Sequence, residues 1–271
     1  MKPLRKTNAY ISFLEMQSFL FWIKITLFIA LAIAFSSCRP SPQEEGIPIE
    51  AFTPLATGKT ITYRVDSLVF TQFGRQAETH SYVMRYSIDS SFLDNQGRKS
   101  YRIIRMIRDT LQSQPWKADG TFYCTVTRTQ LEWVEDNLRQ IKLQAPLRPG
   151  AQWNGNLFLT SNPLNPPYDF SNDDNIQNWI YTIPTMSSPF RYRNKQYEDV
   201  ISVSQVDEAV NVPIVIPTAY AFKNYAIDRF AKNIGLIYRE WESWEYQPNT
   251  GGPGGPYRIG FGIRQWMIEH N

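Results

Sequence analysis

From residue 59 onward, apolar and polar side chains alternate with period two through one segment after another. In Lys59–Asp66, Ile61, Tyr63 and Val65 fall on one face, while Thr60, Thr62, Arg64 and Asp66 fall on the other. That alternation marks a strand with one buried face. Tyr82, Met84, Tyr86 and Ile88 repeat it, with Ser81, Arg85, Ser87 and Asp89 mostly opposite. Asp94-Asn-Gln-Gly97 is a turn signal, with glycine able to supply the positive φ. Ser100–Leu111 then returns, so residues 80–111 are predicted as a hairpin. Further strands are predicted over 121–128, 131–135, 138–144, 153–160, 176–183 and 196–206. Residues 209–216 read as an edge strand, because Pro213 and Pro217 cannot donate to a ladder. The stretch 219–232 permits helix or strand and is read as strand. Strands over 234–246 and 257–269 complete the chain, with 248–256 a flexible turn or loop between them.

Ser161–Asn175 holds three prolines and many Asn and Asp residues. It is read as a long loop, of a length that is often functional or mobile. No convincing amphipathic helix follows residue 38, and no internal repeat is evident. Many short strands with turn punctuation predict an all-β fold, an antiparallel meander forming a curved sheet, half-barrel or sandwich.

The N-terminus has a different pattern. Ile25–Phe35 is an apolar run of 11 residues, preceded by Lys2, Arg5, Lys6 and Lys24 and followed by Ser36-Ser37-Cys38. A basic segment, an apolar segment and small residues before a cut form a secretory signal. The run falls short of the roughly 20 residues that span a bilayer. Met1 or Met16 could start this segment. A cysteine at the cut resembles a bacterial lipoprotein signal, in which that thiol is acylated and becomes the first mature residue. Phe35 stands where such signals usually carry Leu or Val. By the same resemblance, Arg39 in second place implies the outer membrane. Residues 1–37 are therefore expected to be a signal peptide, 38–50 a flexible tether and 51–271 a single β domain. Gln43-Glu44-Glu45 is similar to an acidic surface-export tag, and reads equally as solvated linker.

Charge changes the picture once the signal is set aside. Of 28 basic and 25 acidic residues, four and one lie in residues 1–37, which leaves 24 of each sign. A neutral mature chain argues against a nucleic-acid footprint, which needs a basic patch. Cys124 has no second cysteine besides Cys38, and its apolar surroundings Phe122 and Val126 read as a buried, inert thiol.

Candidate chemistry is sparse. Two histidines, His80 and His270, exclude a multi-histidine zinc site. Residues 169–175 place oxygen ligands at alternate positions, as a calcium loop does. They lack the glycine at the sixth place and the glutamate at the twelfth, so no metal is expected and no cofactor either. The segment Glu240-Trp-Glu-Ser-Trp-Glu-Tyr246 mixes carboxylates with aromatics. On a strand, Glu240, Glu242 and Trp244 share one face, and Trp241 lies on the other. Carboxylates two apart on a strand fall near the separations used by glycosidases, about 5 Å or about 6.5–9.5 Å. Aromatic rings could stack on sugars, or simply pack on the sheet.

Three segments resemble outer-membrane lipoproteins of Bacteroidota: Pro54-Leu-Ala-Thr-Gly-Lys-Thr-Ile-Thr-Tyr-Arg-Val-Asp-Ser67, Ile234-Gly-Leu-Ile-Tyr-Arg-Glu240 and Trp244-Glu-Tyr-Gln-Pro248. Ile61 replaces the tryptophan of the first motif. The meander is also similar to curved-sheet lipoprotein carriers of the LolA type. Asp66-Ser67-Leu68 and Asp109-Thr110-Leu111 match an O-glycosylation pattern of that phylum, making Ser67 and Thr110 candidate acceptors. These readings imply a lipid-anchored, non-enzymatic binding or assembly component of the outer membrane, holding an apolar ligand in its concave face. The membrane is its expected partner, through lipid on Cys38. A surface glycan-binding protein or glycosidase using Trp241, Trp244, Glu240 and Glu242 is the alternative, and a purely structural envelope protein is a third.

Overall fold

The predicted meander closes on itself. Twelve strands follow in order: β1 Thr60–Thr71, β2 Gln76–Leu93, β3 Lys99–Asp109, β4 Lys117–Val126, β5 Gln130–Glu135 and β6 Leu138–Gln144. Then come β7 Gln152–Asn154, β8 Ile180–Tyr192, β9 Lys195–Val210, β10 Ala221–Ala231, β11 Gly235–Gln247 and β12 Tyr257–His270. The computed structural model describes residue 21 and residues 46–170, 175–249, 251 and 254–271. Gly46–Asn271 form one compact unit. Apart from Phe21, residues 1–45, with the expected signal and Cys38 among them, lie outside the described residues.

Each strand pairs antiparallel with its neighbour in sequence, except β6 with β7, and β1 pairs with β12. The first and last strands thus meet in mid-sheet, from Ile61 opposite His270 to Leu68 opposite Gly262. The gap between β6 and β7 is bridged rather than laddered. The Ile141 N–H donates to the Gly155 carbonyl at 2.7 Å. Trp153 Nε1 donates to the Ile141 carbonyl at 2.8 Å. Gln140 Nε2 donates to Asn156 Oδ1 at 2.9 Å and to the Tyr181 hydroxyl at 3.0 Å. The result is a nearly closed, all-β barrel, as the curved-sheet expectation implied.

The interior is layered along the strands. At one end Ile61, Tyr63, Ile88, Ile103, Trp133 and Phe230 surround a small apolar space that Thr53–Leu55 also line. Ile49 and Phe52, in a 3-10 turn before β1, are fully buried in this core. Apolar groups therefore point inward, and the outer face carries pairs such as Arg102 with Asp89 and Arg264 with Glu240. A membrane-spanning barrel has the inverse arrangement. Among the described residues no helix is long and apolar enough to cross a membrane.

Several boundaries differ from expectation. Ile47 and Ile49 were expected in the tether, yet they pack into the core because each is a large apolar side chain beside the barrel end. The strand expected over 153–160 ends at Asn154. There Asn154 and Asn156 donate side-chain amides to the Gln177 and Ile176 carbonyls, drawing the chain out of the ladder. Residues 176–178 form a 3-10 turn before β8. The edge strand expected over 209–216 stops at Val210. Asn211 Oδ1 then accepts from the Val215 and Ile216 N–H groups, both at 3.2 Å, and curls the segment into a loop. The ambiguous stretch 219–232 is strand β10, as read.

The seam tests the closure. A Cβ at Gly155 would overlap the Tyr181 ring. Gly155→Ala is expected to destabilise the domain by about 1–3 kcal/mol, as overpacking does. It should also accelerate hydrogen exchange at the Ile141 amide ahead of amides in β1 and β12. Equal protection at Ile141 in both proteins would show that the seam does not depend on this close approach.

Candidate functional site

About eight strands enclose an interior that side chains just fill. Twelve leave more room, and here the middle of the lumen is crossed by long charged side chains. Arg239 on β11 donates from Nε to Asp228 Oδ1 on β10 at 2.9 Å, and from Nη1 to Glu135 Oε2 on β5 at 3.1 Å. Five strands separate β5 from β11 in either direction around the barrel, so this second pair spans its width. Lys142 on β6 reaches Asp228 Oδ2 at 3.2 Å, and Gln205 Nε2 on β9 donates to the same oxygen at 3.0 Å. Glu135 also accepts from the Tyr86 hydroxyl at 3.0 Å, Trp133 Nε1 at 3.1 Å and Arg105 Nη1 at 2.8 Å. Arg105 continues to Asp119 at 2.7 Å and Asp136 at 3.0 Å nearer the surface.

Charge is sustained here by mutual pairing. Burial alone would raise the Asp228 pKa, but Arg239 and Lys142 hold it below the ordinary carboxylate value. Burial likewise opposes ionisation of Glu135, and Arg239 and Arg105 overcome it. Lys142 is the exception. Burial draws its pKa down to about 8, and Asp228 restores only part of the loss.

Beyond this belt the lumen opens into a cavity of about 460 Å3. Arg105, Lys142, Arg239 and Gln265 line it on the belt side, and Leu138, Trp241, Phe261 and Ile263 supply apolar wall. Pro163–Tyr168, from the long loop read in the sequence, lines it too. Leu164 is buried in the core, and the Tyr168 ring stacks on Phe261 with centroids 5.3 Å apart. Trp241 meets the same Phe261 edge-on at 5.1 Å.

The four residues singled out on β11 do not form one site. Trp241 lines the cavity, while Trp244 packs outside it with Ala221, Tyr246 and Phe70. Glu240 is bound by Arg264 and by the Tyr238 hydroxyl at 2.6 Å. Glu242 pairs with Lys223 at 2.9 Å and accepts from Trp244 Nε1 at 3.4 Å. Ser67 lies within β1, lines the cavity and is 2.9 Å from the Tyr82 hydroxyl. Thr110 is half-buried in the turn after β3. Cys124 is buried, and burial pushes its thiol pKa up to about 12, so it carries no thiolate at neutral pH. Four residues of the calcium-like segment, 171–174, lie outside the described residues. Among the described residues no group of three His, Cys, Asp or Glu side chains is placed to hold a metal ion.

The belt itself was missed in the sequence. Its signal was phase: Arg239 shares parity with Ile237 and Trp241, and Arg105 shares parity with Ile103. A charge in phase with a buried apolar face points inward.

Two outcomes follow from the belt. Asp228→Asn leaves Arg239 and Lys142 buried with Glu135 as their shared counter-charge. It should cost about 3–5 kcal/mol in urea denaturation, the scale for breaking a buried pair. Arg102→Ala at an exposed pair should change stability by less than about 1 kcal/mol. Lys142 titrates near 8 when folded and near its ordinary 10.5 when unfolded. Below pH 8 both states are charged and the burial penalty is complete; between the two values the folded chain sheds the proton first and the penalty fades. Wild type should therefore gain on Lys142→Met by about 2–3 kcal/mol as pH rises from about 7 to about 10. A flat difference across that range would contradict the assignment.

No protein-family model matches the chain, and no curated protein matches it significantly.

Proposed function

We propose that this protein is a lipid-anchored lipoprotein of the outer membrane, a non-enzymatic binding component whose barrel holds an apolar ligand. The anchor rests on the sequence signal ending at Cys38 and on the resemblance to Bacteroidota lipoproteins. The binding role rests on one observation, the cavity of about 460 Å3 walled by Leu138, Leu164, Trp241, Phe261 and Ile263. That volume falls within the range of about 300–1,000 Å3 usual for small-molecule sites, which are largely apolar with a few placed polar groups. The segment Pro163–Tyr168 serves as its cover. The bilayer is the membrane partner, reached through acyl chains that each contribute about 0.8 kcal/mol per buried methylene.

The glycan alternative has less support. A sugar could stack on Trp241, but Glu240 and Glu242 are engaged by Arg264 and Lys223 on the other face of β11. Neither carboxylate stands beside that ring.

A single experiment tests anchor and ligand together. The Cys38→Ala chain should leave the membrane fraction, and an organic extract of it should contain about one small lipophilic molecule per protein. Retention in the membrane would refute the anchor. A clean extract would refute the carrier role.

A further inference from the structure

One corner of the barrel exposes large apolar side chains on a fixed frame. Val212-Pro-Ile-Val-Ile-Pro217, between β9 and β10, is a run of six apolar residues. Val212 and Ile214 pack against the cluster of Ala221, Trp244 and Tyr246, while Val215 is 74% and Ile216 54% exposed. The exposed pair is held in place rather than left loose. Asn211 accepts from both of their N–H groups, its Nδ2 donates to the Ile216 carbonyl at 3.0 Å, and the Tyr246 hydroxyl donates to the Pro217 carbonyl at 2.8 Å. A run of apolar residues is kept at a surface only where it has a use.

The β1–β2 turn joins the same corner. Phe73 is 94% exposed at its tip. Gln72 and Phe73 have φ of 49° and 59°, a left-handed conformation in which a bulky side chain is rare. Hairpin tips of this kind favour Asn-Gly. Strain retained to present a side chain that packs on nothing points to function. The turn is also fixed. The Arg258 N–H donates to the Gly74 carbonyl at 2.7 Å, and a Cβ at Gly74 would overlap the Arg258 backbone. Arg258 is in turn the register partner of Tyr246, which carries the loop 211–217. Phe73, Val215 and Ile216, with half-exposed Tyr257, therefore crown one corner.

Charge and chain length select the occupant. Arg75 is exposed and Arg258 half-buried beside the tips, and neither forms an ion pair among the described residues. Apolar tips flanked by cations and a tyrosine suit the phosphate layer of a bilayer above its acyl chains. The tips project singly from separate turns, which a fluid surface accommodates, whereas a protein partner needs roughly 1,000 Å2 of continuous complementary area. Eight residues, Cys38–Glu45, precede the barrel domain, a reach of at most about 28 Å. The corner lies at the far end of β1 from Ile49 and Phe52, 12 residues away along the strand, or about 40 Å. An anchored barrel thus brings this corner to the bilayer by lying on its side rather than standing on the tethered end.

We infer that this corner rests on a lipid bilayer, with Phe73, Val215 and Ile216 entering the acyl layer and Arg75 and Arg258 at the phosphates. The choice of a bilayer rests on reading Cys38 as a lipid anchor. The contact is interfacial and no strand crosses. Ser67–Val69 of β1 and Phe261–Ile263 of β12 line the cavity just behind the corner, so docking sets the cavity beside the acyl layer.

The test places a fluorescent amino acid at Gln72 or, at the opposite end beside exposed Leu93, at Gln96. Each full-length chain is mixed with vesicles of phosphatidylcholine and phosphatidylglycerol brominated on their acyl chains. Quenching at residue 72 should exceed that at residue 96 by at least about threefold. Phe73→Ser and Ile216→Ser should each cut it by about threefold or more, with the urea midpoint unlowered because both side chains are exposed. Equal quenching at the two positions, or stronger quenching at residue 96, would overturn the inference. So would a label at residue 72 that stays in water on vesicles, or one shielded without lipid and released on dilution, which would mark a second copy of the chain as the occupant. Mass spectrometry of Cys38 reports the anchor separately, and an unacylated chain is read at lipid excess, so a failed anchor does not imitate failed docking.

Discussion

The ion pairs that cross the lumen are the constraint on which the barrel depends. A twelve-strand cylinder is too wide for aliphatic side chains from opposite walls to meet. Arg239 meets Glu135, and Lys142 meets Asp228, because Arg and Lys are the longest side chains available. Each charge stripped of water carries a large penalty, offset only when its partners are placed with good geometry. Asp228 satisfies this with Arg239, Lys142 and Gln205, and Glu135 with Arg239, Arg105, Tyr86 and Trp133. The network thereby ties β5, β6, β9, β10 and β11 into one body, including strands beside the weak seam at β6 and β7.

The belt also divides the interior. On one side, Ile49, Phe52, Tyr63 and Phe230 pack into an apolar plug that closes the barrel. On the other, the same width is left partly open. A cavity with apolar walls and a charged floor is the physical consequence. Arg239 holds two carboxylates with Nε and Nη1.

Much of the fold was legible because the strands obey a simple period. Ile61, Tyr63 and Val65 alternate cleanly, and β1, β2, β5 and β6 lie close to where alternation puts them. Failures cluster where side chains capture the backbone. Asn154 and Asn156 end β7 early, and Asn211 turns 211–216 into a loop, by hydrogen bonds that no hydrophobic pattern encodes. The site was half legible. Trp241 was recognised as a candidate, but for company it does not keep, since Glu240, Glu242 and Trp244 face the other way. Arg239, one residue from Glu240 in the same run, escaped notice because a lone charge in a strand ordinarily reads as solvated.

By itself the sequence determined the class of fold, the strand order in the chain, the alternation of faces and the neutrality of residues 38–271. These depend on local periodicity and composition, which a single strand carries alone. Only the tertiary structure decided that β1 meets β12, that the sheet closes near β6 and β7, and that Glu135 lies against Arg239. Such contacts join residues a hundred positions apart, and their geometry follows from the width of the closed barrel, a property that belongs to all twelve strands together.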